Sequence, residues 1–256
     1  MHLLQRRALR PDDSIAMTNA SPVLKPSTAT AVSLPSTSGR WPVIALLSLG
    51  MIIAYVARSA LSVPLAMPEF IRAYHLSPSD RGIISSAFFW TYAVLQIPAG
   101  FLVDRFGVKF PYFWAFALWC LASASTALTH SIPQLIVVQV VLGIGESVVV
   151  PASYRWIRHH FVEKERGLAI ALYMTGTKIG PAIAAPLAAL LIRSYDWRVM
   201  FVFIGLGGLI WLVPWLLLVK NDDRQIEQEA SKKDGAKPIP FGRIMSSAVT
   251  WGIMIA

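Results

Sequence analysis

Long runs of apolar residues, separated by short polar segments, follow one another along the chain from about residue 42. A helix needs about 20 mostly apolar residues to cross the hydrocarbon core of a bilayer. Six segments meet this requirement, and a seventh apolar segment begins near Ser246 and reaches Ala256. The six predicted spans are 42–66, 82–103, 110–130, 133–153, 167–192 and 198–219. The pattern therefore predicts an all-α fold, a polytopic membrane helix bundle.

The segments outside these spans divide the chain further. Residues 1–40 are rich in Ser, Thr, Pro and Ala and lack the apolar stretch of a signal peptide, so we expect a disordered cytoplasmic tail. Residues 41–219 then form a six-helix transmembrane unit, and the charged segment 220–245 is predicted to be a cytoplasmic linker. Because residues 246–256 have the character of a truncated start of helix seven, we expect the chain to be the N-terminal half of a larger protein.

The composition agrees with a membrane protein and explains the positive charge. Hydrophobic residues make up 55% and charged residues 14% of the chain, whereas a soluble domain averages about 25% charged residues. Seventeen of the 23 Lys and Arg residues fall in the N-terminal tail and in alternate loops, and only four fall in the other loops. Positive residues collect on the cytoplasmic side. The bias predicts a cytoplasmic N-terminus and accounts for the net charge of +9 without nucleic acid.

Residues typical of enzymes and metal sites are scarce. The single cysteine, Cys120, excludes an internal disulfide and a cysteine-based metal cluster. The five histidines show no metal-ligand spacing, and no serine motif is accompanied by a histidine inside a span. We therefore predict no enzyme activity, no cofactor and no metal site.

Three ionisable residues fall well inside the predicted spans. They are Arg58 on the first span, Glu146 on the fourth and Lys178 on the fifth. Such charges are costly in a membrane and mostly face a cavity or the bundle interior. Two cations and one anion around one cavity would suit an anionic ligand. Two alternatives remain: Arg58 extends to the outer interface, or Glu146 and Lys178 neutralise each other as a structural pair.

Two groups of side chains accompany these charges. Tyr55 precedes Arg58 by three residues and so shares its helical face. A stripe on the second span has helical spacing and is predicted to line the cavity, although helix packing is the alternative for its aromatic members. The stripe consists of Ser85, Phe88, Phe89, Tyr92 and Gln96.

The inner loop after the second span reads GFLVDRFGVKF, residues 100–110. It resembles G-x-L-x-D-R-x-G-x-K, the loop signature of the major facilitator superfamily of secondary transporters. The matching positions are Gly100, Leu102, Asp104, Arg105, Gly107 and Lys109. From the residues themselves, we expect Gly100 to let another helix approach closely and Gly107 to form the turn.

Further segments resemble the anion:cation symporter branch of this family, which includes hexuronate, galactonate and phthalate carriers. They include AYVARSALS at 54–62, SSAFFWTYAVLQIPAG on the second span and LGIGESVVVPASYRW on the fourth. The resemblance covers about 41–220. It implies a fold of two six-helix halves, each built from two inverted three-helix repeats, with the substrate between the halves. A C-terminal half is then an expected partner.

The resemblance also implies a function. It predicts secondary active transport of a small organic anion, a sugar acid or another carboxylate, across a bacterial-type inner membrane. Transport would occur by proton symport with alternating access. The implied substrate-binding residues are Tyr55, Arg58, Tyr92, Gln96 and Lys178, and the implied proton-coupling residue is Glu146.

In the gating loop, the resemblance implies that Asp104 faces a helix N-terminus of the other half. Glu163, Glu165 and Arg166 are candidate partners of Asp104 and Arg105 within this chain, with a solvated charge run as the alternative for the two glutamates.

The chain departs from the family pattern at three positions. Ala54 and Ala57 stand where relatives carry an asparagine and, in some proton-coupled members, an acid. Gln139 stands where the fourth-span pattern has an arginine. These losses leave Glu146 as the acid for proton coupling in this half. The alternatives are a multidrug or other small-molecule exporter of the same fold, and a non-transporting half or truncation product.

Overall fold

The computed structural model describes residues 39–220, and every regular element in that range is helical. Most of the predicted tail and linker, and the whole predicted start of helix seven, lie outside the described residues. The helices are α1 (Arg40–Ala60), α2 (Ser62–Ala66), α3 (Pro68–Tyr74), α4 (Pro78–Phe106), α5 (Lys109–Ser125), α6 (Ile132–Glu146), α7 (Val149–His160), α8 (Glu163–Met174), α9 (Gly176–Ser194), α10 (Trp197–Leu209) and α11 (Leu212–Leu218).

Five helical stretches are long and apolar enough to cross a membrane, which confirms the all-α membrane bundle. They are Arg40–Ala66, Pro78–Phe106, Ile132–His160, Glu163–Ser194 and Trp197–Leu218. The remaining predicted span, 110–130, corresponds to α5, which has 17 residues and continues into a short 3-10 turn at Thr126–Leu128. The count of six spans therefore stays a prediction.

Four of these five stretches consist of two helices joined end to end. The fourth span changes from α6 to α7 at Ser147, and the fifth changes from α8 to α9 at Thr175. The Ser147 hydroxyl donates to the Ile144 carbonyl at 2.8 Å, and the Thr175 hydroxyl donates to the Leu172 carbonyl at 2.6 Å. Hydroxyl bonds of this kind to the preceding turn bend helices. Both breaks thus coincide with a hydroxyl that bonds to the preceding turn.

Glycines let the spans pack closely in the middle of the bundle. A Cβ at Gly143 of α6 would stand 2.8 Å from the Phe88 carbonyl oxygen of α4, and one at Gly145 would stand 2.8 Å from the Ala115 carbonyl oxygen of α5. Small residues at such contacts allow backbones to approach each other. Within residues 39–220 no helix approaches Gly100, because a Cβ there would meet no atom within 4 Å, so the expectation for Gly100 stays a prediction. Gly100 instead lines an open cavity at its end of the bundle.

A stack of aromatic rings holds the sixth span against the third and first. The Phe116 and Trp211 rings lie 4.2 Å apart, and the Tyr112 and Trp215 rings lie 4.3 Å apart. The indole of Trp211 donates to the Leu46 carbonyl at 2.9 Å, so the stack is also hydrogen-bonded to α1. This part of the core fixes α11 with both apolar contact and a satisfied indole N–H.

We predict that Gly205→Ala destabilises the bundle whereas Gly207→Ala does not. A Cβ at Gly205 would stand 2.5 Å from the backbone nitrogen of Ala124 and the carbonyl oxygen of Cys120, but one at Gly207 would meet nothing within 4 Å. Overpacking against backbone lowers the free energy of unfolding by about 1–3 kcal/mol. Thermal unfolding of both variants in detergent measures the difference, and equal stabilities would contradict this account of the α5–α10 contact.

Candidate functional site

An ion pair between Arg58 and Glu146 occupies the interior of the bundle. Arg58 lies in the last turn of α1, and Glu146 is the last residue of α6. The Arg58 Nε donates to Glu146 Oε2 at 3.1 Å, and Arg58 Nη2 donates to the same oxygen. The Glu146 side chain is 1% exposed and the Arg58 side chain is 17% exposed. Arg58 thus points inward and not to the outer interface, and it is the ion-pair partner of Glu146.

Three aromatic rings surround the guanidinium. Its central carbon lies 4.5 Å from the ring centres of Tyr55 and Phe88 and 5.0 Å from that of Tyr92. A cation above an aromatic face is attracted by the ring quadrupole, more strongly when water is excluded. Gln96 Nε2 donates to the Tyr92 hydroxyl at 2.8 Å, which orients that ring. The structure thus brings four of the five predicted binding residues together.

The exposed edge of Arg58 opens into a cavity of about 260 Å³. Its polar lining comes from hydroxyl and amide side chains of the first, second and fourth spans. The lining side chains with polar groups are Arg58, Ser59, Ser62, Ser85 and Gln139. Phe88 and Phe89 from the predicted stripe also line it. Sequence reasoning missed Ser59 and Ser62 because a serine in a span carries no signal without knowledge of its direction.

Lys178 lies apart from this site. It sits on α9 between Gly176 and Gly180, and both glycines pack against α1. Each helical residue advances by about 100°, so Lys178 is turned away from α1. Its side chain is exposed and is not among the groups that contact Arg58 or Glu146. The alternative of a Glu146–Lys178 structural pair therefore does not match the structure.

The inner loop forms a second ion pair. The exposed Asp104 at the end of α4 contacts the guanidinium of Arg155 on α7, whose side chain is buried. Asp104 therefore pairs with Arg155 and not with Arg166, because α7 packs beside α4. Glu165 instead pairs with Arg40 at 3.3 Å.

The other loop residues have structural contacts in the described range. Gly107 ends α4 with a φ of 79°, a left-handed backbone that favours glycine. Lys109 Nζ donates to the Leu216 carbonyl at 2.9 Å and so binds the free C-terminal carbonyls of α11. The Arg105 guanidinium lies 5.5 Å from the centre of the Phe106 ring.

We predict that the effects of substituting Arg58 and Glu146 on the free energy of unfolding are strongly coupled. Arg58→Leu leaves the Glu146 carboxylate buried without its partner, which should lower the free energy of unfolding by about 3–5 kcal/mol. Replacing both residues with leucine removes the unpaired charge and should recover most of this loss. A double-mutant cycle of thermal unfolding in detergent measures the coupling. Additive effects of the two single substitutions would contradict the pairing.

Comparisons with known proteins agree with the fold. A model of the Major Facilitator Superfamily matches residues 47–256. The galacturonate transporter of Dickeya chrysanthemi is 29% identical over 229 residues, which cover 84% of this chain and 66% of that protein. The hexuronate transporter of Bacillus subtilis (strain 168) is 33% identical over 189 residues, which cover 74% of this chain and 44% of that protein. The chain thus spans roughly half the length of such relatives.

A solved structure shows the same fold. A bacterial homolog of the human lysosomal transporter Spinster, in an inward-facing and occupied conformation, aligns with a TM-score of 0.67 at 21% identity. The alignment covers 73% of this chain and 46% of that one. The relatives are transporters and not enzymes. The chain is therefore a multi-pass integral membrane protein and belongs to the Major Facilitator Superfamily.

Proposed function

We propose that the complete protein is a secondary active transporter of a small organic anion and that Arg58 binds the carboxylate of the substrate. The observation that carries the proposal is the guanidinium of Arg58, which is held by an ion pair and three rings at the edge of a polar cavity. A planar guanidinium binds a carboxylate through two parallel hydrogen bonds and stays charged in a dry site. Relatives named galacturonate, hexuronate and probable L-galactonate transporters support the same substrate class.

The cavity lining favours a sugar acid over an aromatic acid. Three serine hydroxyls and the Gln139 amide face the space beside Arg58. Each of these groups can donate and accept a hydrogen bond, as the several hydroxyls of a sugar acid require. Tyr55, Tyr92 and Gln96 position the arginine and its aromatic surroundings. Lys178 is exposed on α9 and does not line this cavity, so we leave it out of the proposed carboxylate site.

Proton symport is supported by the competition of two carboxylates, that of Glu146 and that of the substrate, for the Arg58 guanidinium. The Glu146 carboxylate and a substrate carboxylate would each satisfy the same guanidinium, and two anions beside one cation would repel each other. A proton on Glu146 removes one of these charges and frees Arg58 for the substrate. Entry of one proton with one carboxylate leaves the net charge of the site unchanged.

We infer the orientation in the membrane and the position of the gate from the charged residues at the ends of the spans. From the bias of Lys and Arg, we assign the N-terminus, the end of α4 and the α7–α8 junction to the cytoplasmic side of a bacterial-type inner membrane. The pairs Asp104–Arg155 and Arg40–Glu165 both lie at this end. We assign them to the stable inner ends of the half that moves against the C-terminal half during alternating access.

We predict that Arg58 determines substrate affinity. Uptake of labelled galacturonate, glucuronate and galactonate is measured with the full-length carrier in proteoliposomes. Arg58→Lys keeps the charge but loses the planar fork, so KM should rise about tenfold or more, and Arg58→Ala should abolish uptake. Arg193→Lys, at an exposed position in the last turn of α9, is the matched control. An unchanged KM in Arg58→Lys would refute the assignment.

We predict that Glu146 couples transport to protons. Glu146→Gln should stop a pH gradient from driving accumulation, while counterflow exchange of the same acid continues, because the neutral amide imitates the protonated carboxyl. Glu69→Gln, on the exposed face of α3, is the control. Accumulation that still follows the pH gradient in Glu146→Gln would exclude Glu146 as the coupling residue.

A further inference from the structure

Gln139 on α6 is a buried polar side chain whose amide is not used by the fold. The residue is 8% exposed, and within residues 39–220 no hydrogen bond involves its amide group. Gln139 lines the cavity beside Arg58, and its amide atoms are not fully enclosed by protein. Buried polar groups in proteins are nearly always hydrogen-bonded. The Gln139 amide therefore faces the cavity with its donor and its acceptor available to a ligand.

The other two glutamines in the described range both have partners. Gln96 Nε2 donates to the Tyr92 hydroxyl at 2.8 Å. Gln134, in the first turn of α6, accepts from the His130 backbone nitrogen at 2.7 Å. Among these three side chains, the amide without a partner in residues 39–220 is thus the one that lines the cavity.

The packing of α6 on α4 places Gln139 beside other polar groups. Gly143, one turn after Gln139, lies against the backbone of Phe88 on α4. Residues four apart share a helical face, so Gln139 lies on the side of α6 that faces α4. Ser85 precedes Phe88 by one turn and lines the cavity together with Gln139 and Ser59 of α1. Within residues 39–220, the hydroxyls of Ser59 and Ser85 also form no hydrogen bond.

The cavity has a charged end and an uncharged end. Glu146, the ion-pair partner of Arg58, follows Gln139 by seven residues, which places it roughly 10 Å further along α6. Among the described residues, Arg58 is the one charged side chain in the cavity lining. A six-carbon acid with a hydrogen bond of about 2.8 Å at each end spans a distance of this size. When its carboxylate is bound to Arg58, its hydroxyl-bearing carbons lie toward Gln139.

We propose that Gln139 selects hydroxylated acids by binding two neighbouring hydroxyl groups of the substrate at once. The amide oxygen accepts a hydrogen bond from one hydroxyl, and the amide nitrogen donates to the next. The inference rests on the carboxylate binding by Arg58 proposed above, and it adds a requirement for a vicinal diol at the other end of the substrate. An acid without hydroxyls leaves the buried amide unpaired, and a site built for hydrogen bonds rejects such analogues for this reason.

The test compares a sugar acid with cyclohexanecarboxylate, which carries a carboxylate on a six-membered ring without hydroxyls. The KM of labelled galacturonate, or of whichever hydroxylated acid is transported, is measured with the full-length carrier in proteoliposomes. Cyclohexanecarboxylate is added as a competitor, and its inhibition constant is measured. Gln139→Met keeps the length of the side chain and removes the amide. The KM of the sugar acid should rise about tenfold, whereas the inhibition constant of cyclohexanecarboxylate should stay the same or fall.

Gln134→Met is the matched control, because Gln134 is exposed on the same helix, and it should change neither constant. An unchanged ratio of the two constants in Gln139→Met, while Arg58→Lys still raises KM, would overturn the role of Gln139 and leave the carboxylate site in place. The role is also overturned if the wild-type carrier binds cyclohexanecarboxylate as tightly as the sugar acid. If Arg58→Lys leaves KM unchanged, or if none of the acids is taken up, the proposed function fails and this inference fails with it.

Discussion

The buried ion pair between Arg58 and Glu146 is the constraint on which the rest of the bundle depends. A low-dielectric interior does not solvate either charge, so the two side chains must meet with good geometry. That requirement fixes the rotation of α1 and α6 about their axes. Once they are fixed, the glycines of α6 determine how closely α4 and α5 approach, and those of α9 determine how closely it lies along α1.

The ends of the spans are held by a different kind of contact. Arg40 pairs with Glu165, and its guanidinium lies 5.2 Å from the centre of the Phe161 ring, so the start of α1 is tied to the junction of α7 and α8. Asp104 and Arg155 tie the end of α4 to α7. These pairs lie where water is available, so each contributes less to stability than the interior pair. They join α1 to α8 and α4 to α7.

The sequence revealed the charged part of the site because a charge inside an apolar run is costly and therefore conspicuous. Arg58 and Glu146 could be predicted on that ground, and helical spacing added Tyr55 and Tyr92. The direction of Lys178 was also readable in principle, since Gly176 and Gly180 mark the opposite face of α9 as the packing face. The Asp104–Arg155 pair joins residues 51 positions apart, and no local pattern encodes such a contact.

Hydroxyl residues stayed hidden for another reason. Serine and tyrosine are tolerated in a span whether they face protein, lipid or a cavity, so their positions alone carry no information about direction. The burial of Tyr112, Ser153 and Tyr173 depends on the rotation of three helices at once. In the same way, the shortness of α5 was not foreseen, because the apolar run continues past the point where the α-helix tightens into a 3-10 turn.

The buried charge of Glu146 lies next to the break between α6 and α7. Glu146 is the last residue before the break, so it belongs to α6, whereas Ser153 and Arg155 belong to α7 on the other side of the break. Ser147, at the break, already bonds to the preceding turn, which makes a bend there easier than in a regular helix. A small tilt between α6 and α7 would change the distance from the Glu146 carboxylate to the polar side chains of α7. Because the break at Ser147 is one residue from Glu146, a bend of the backbone there and a change in the contacts of the buried charge would occur together.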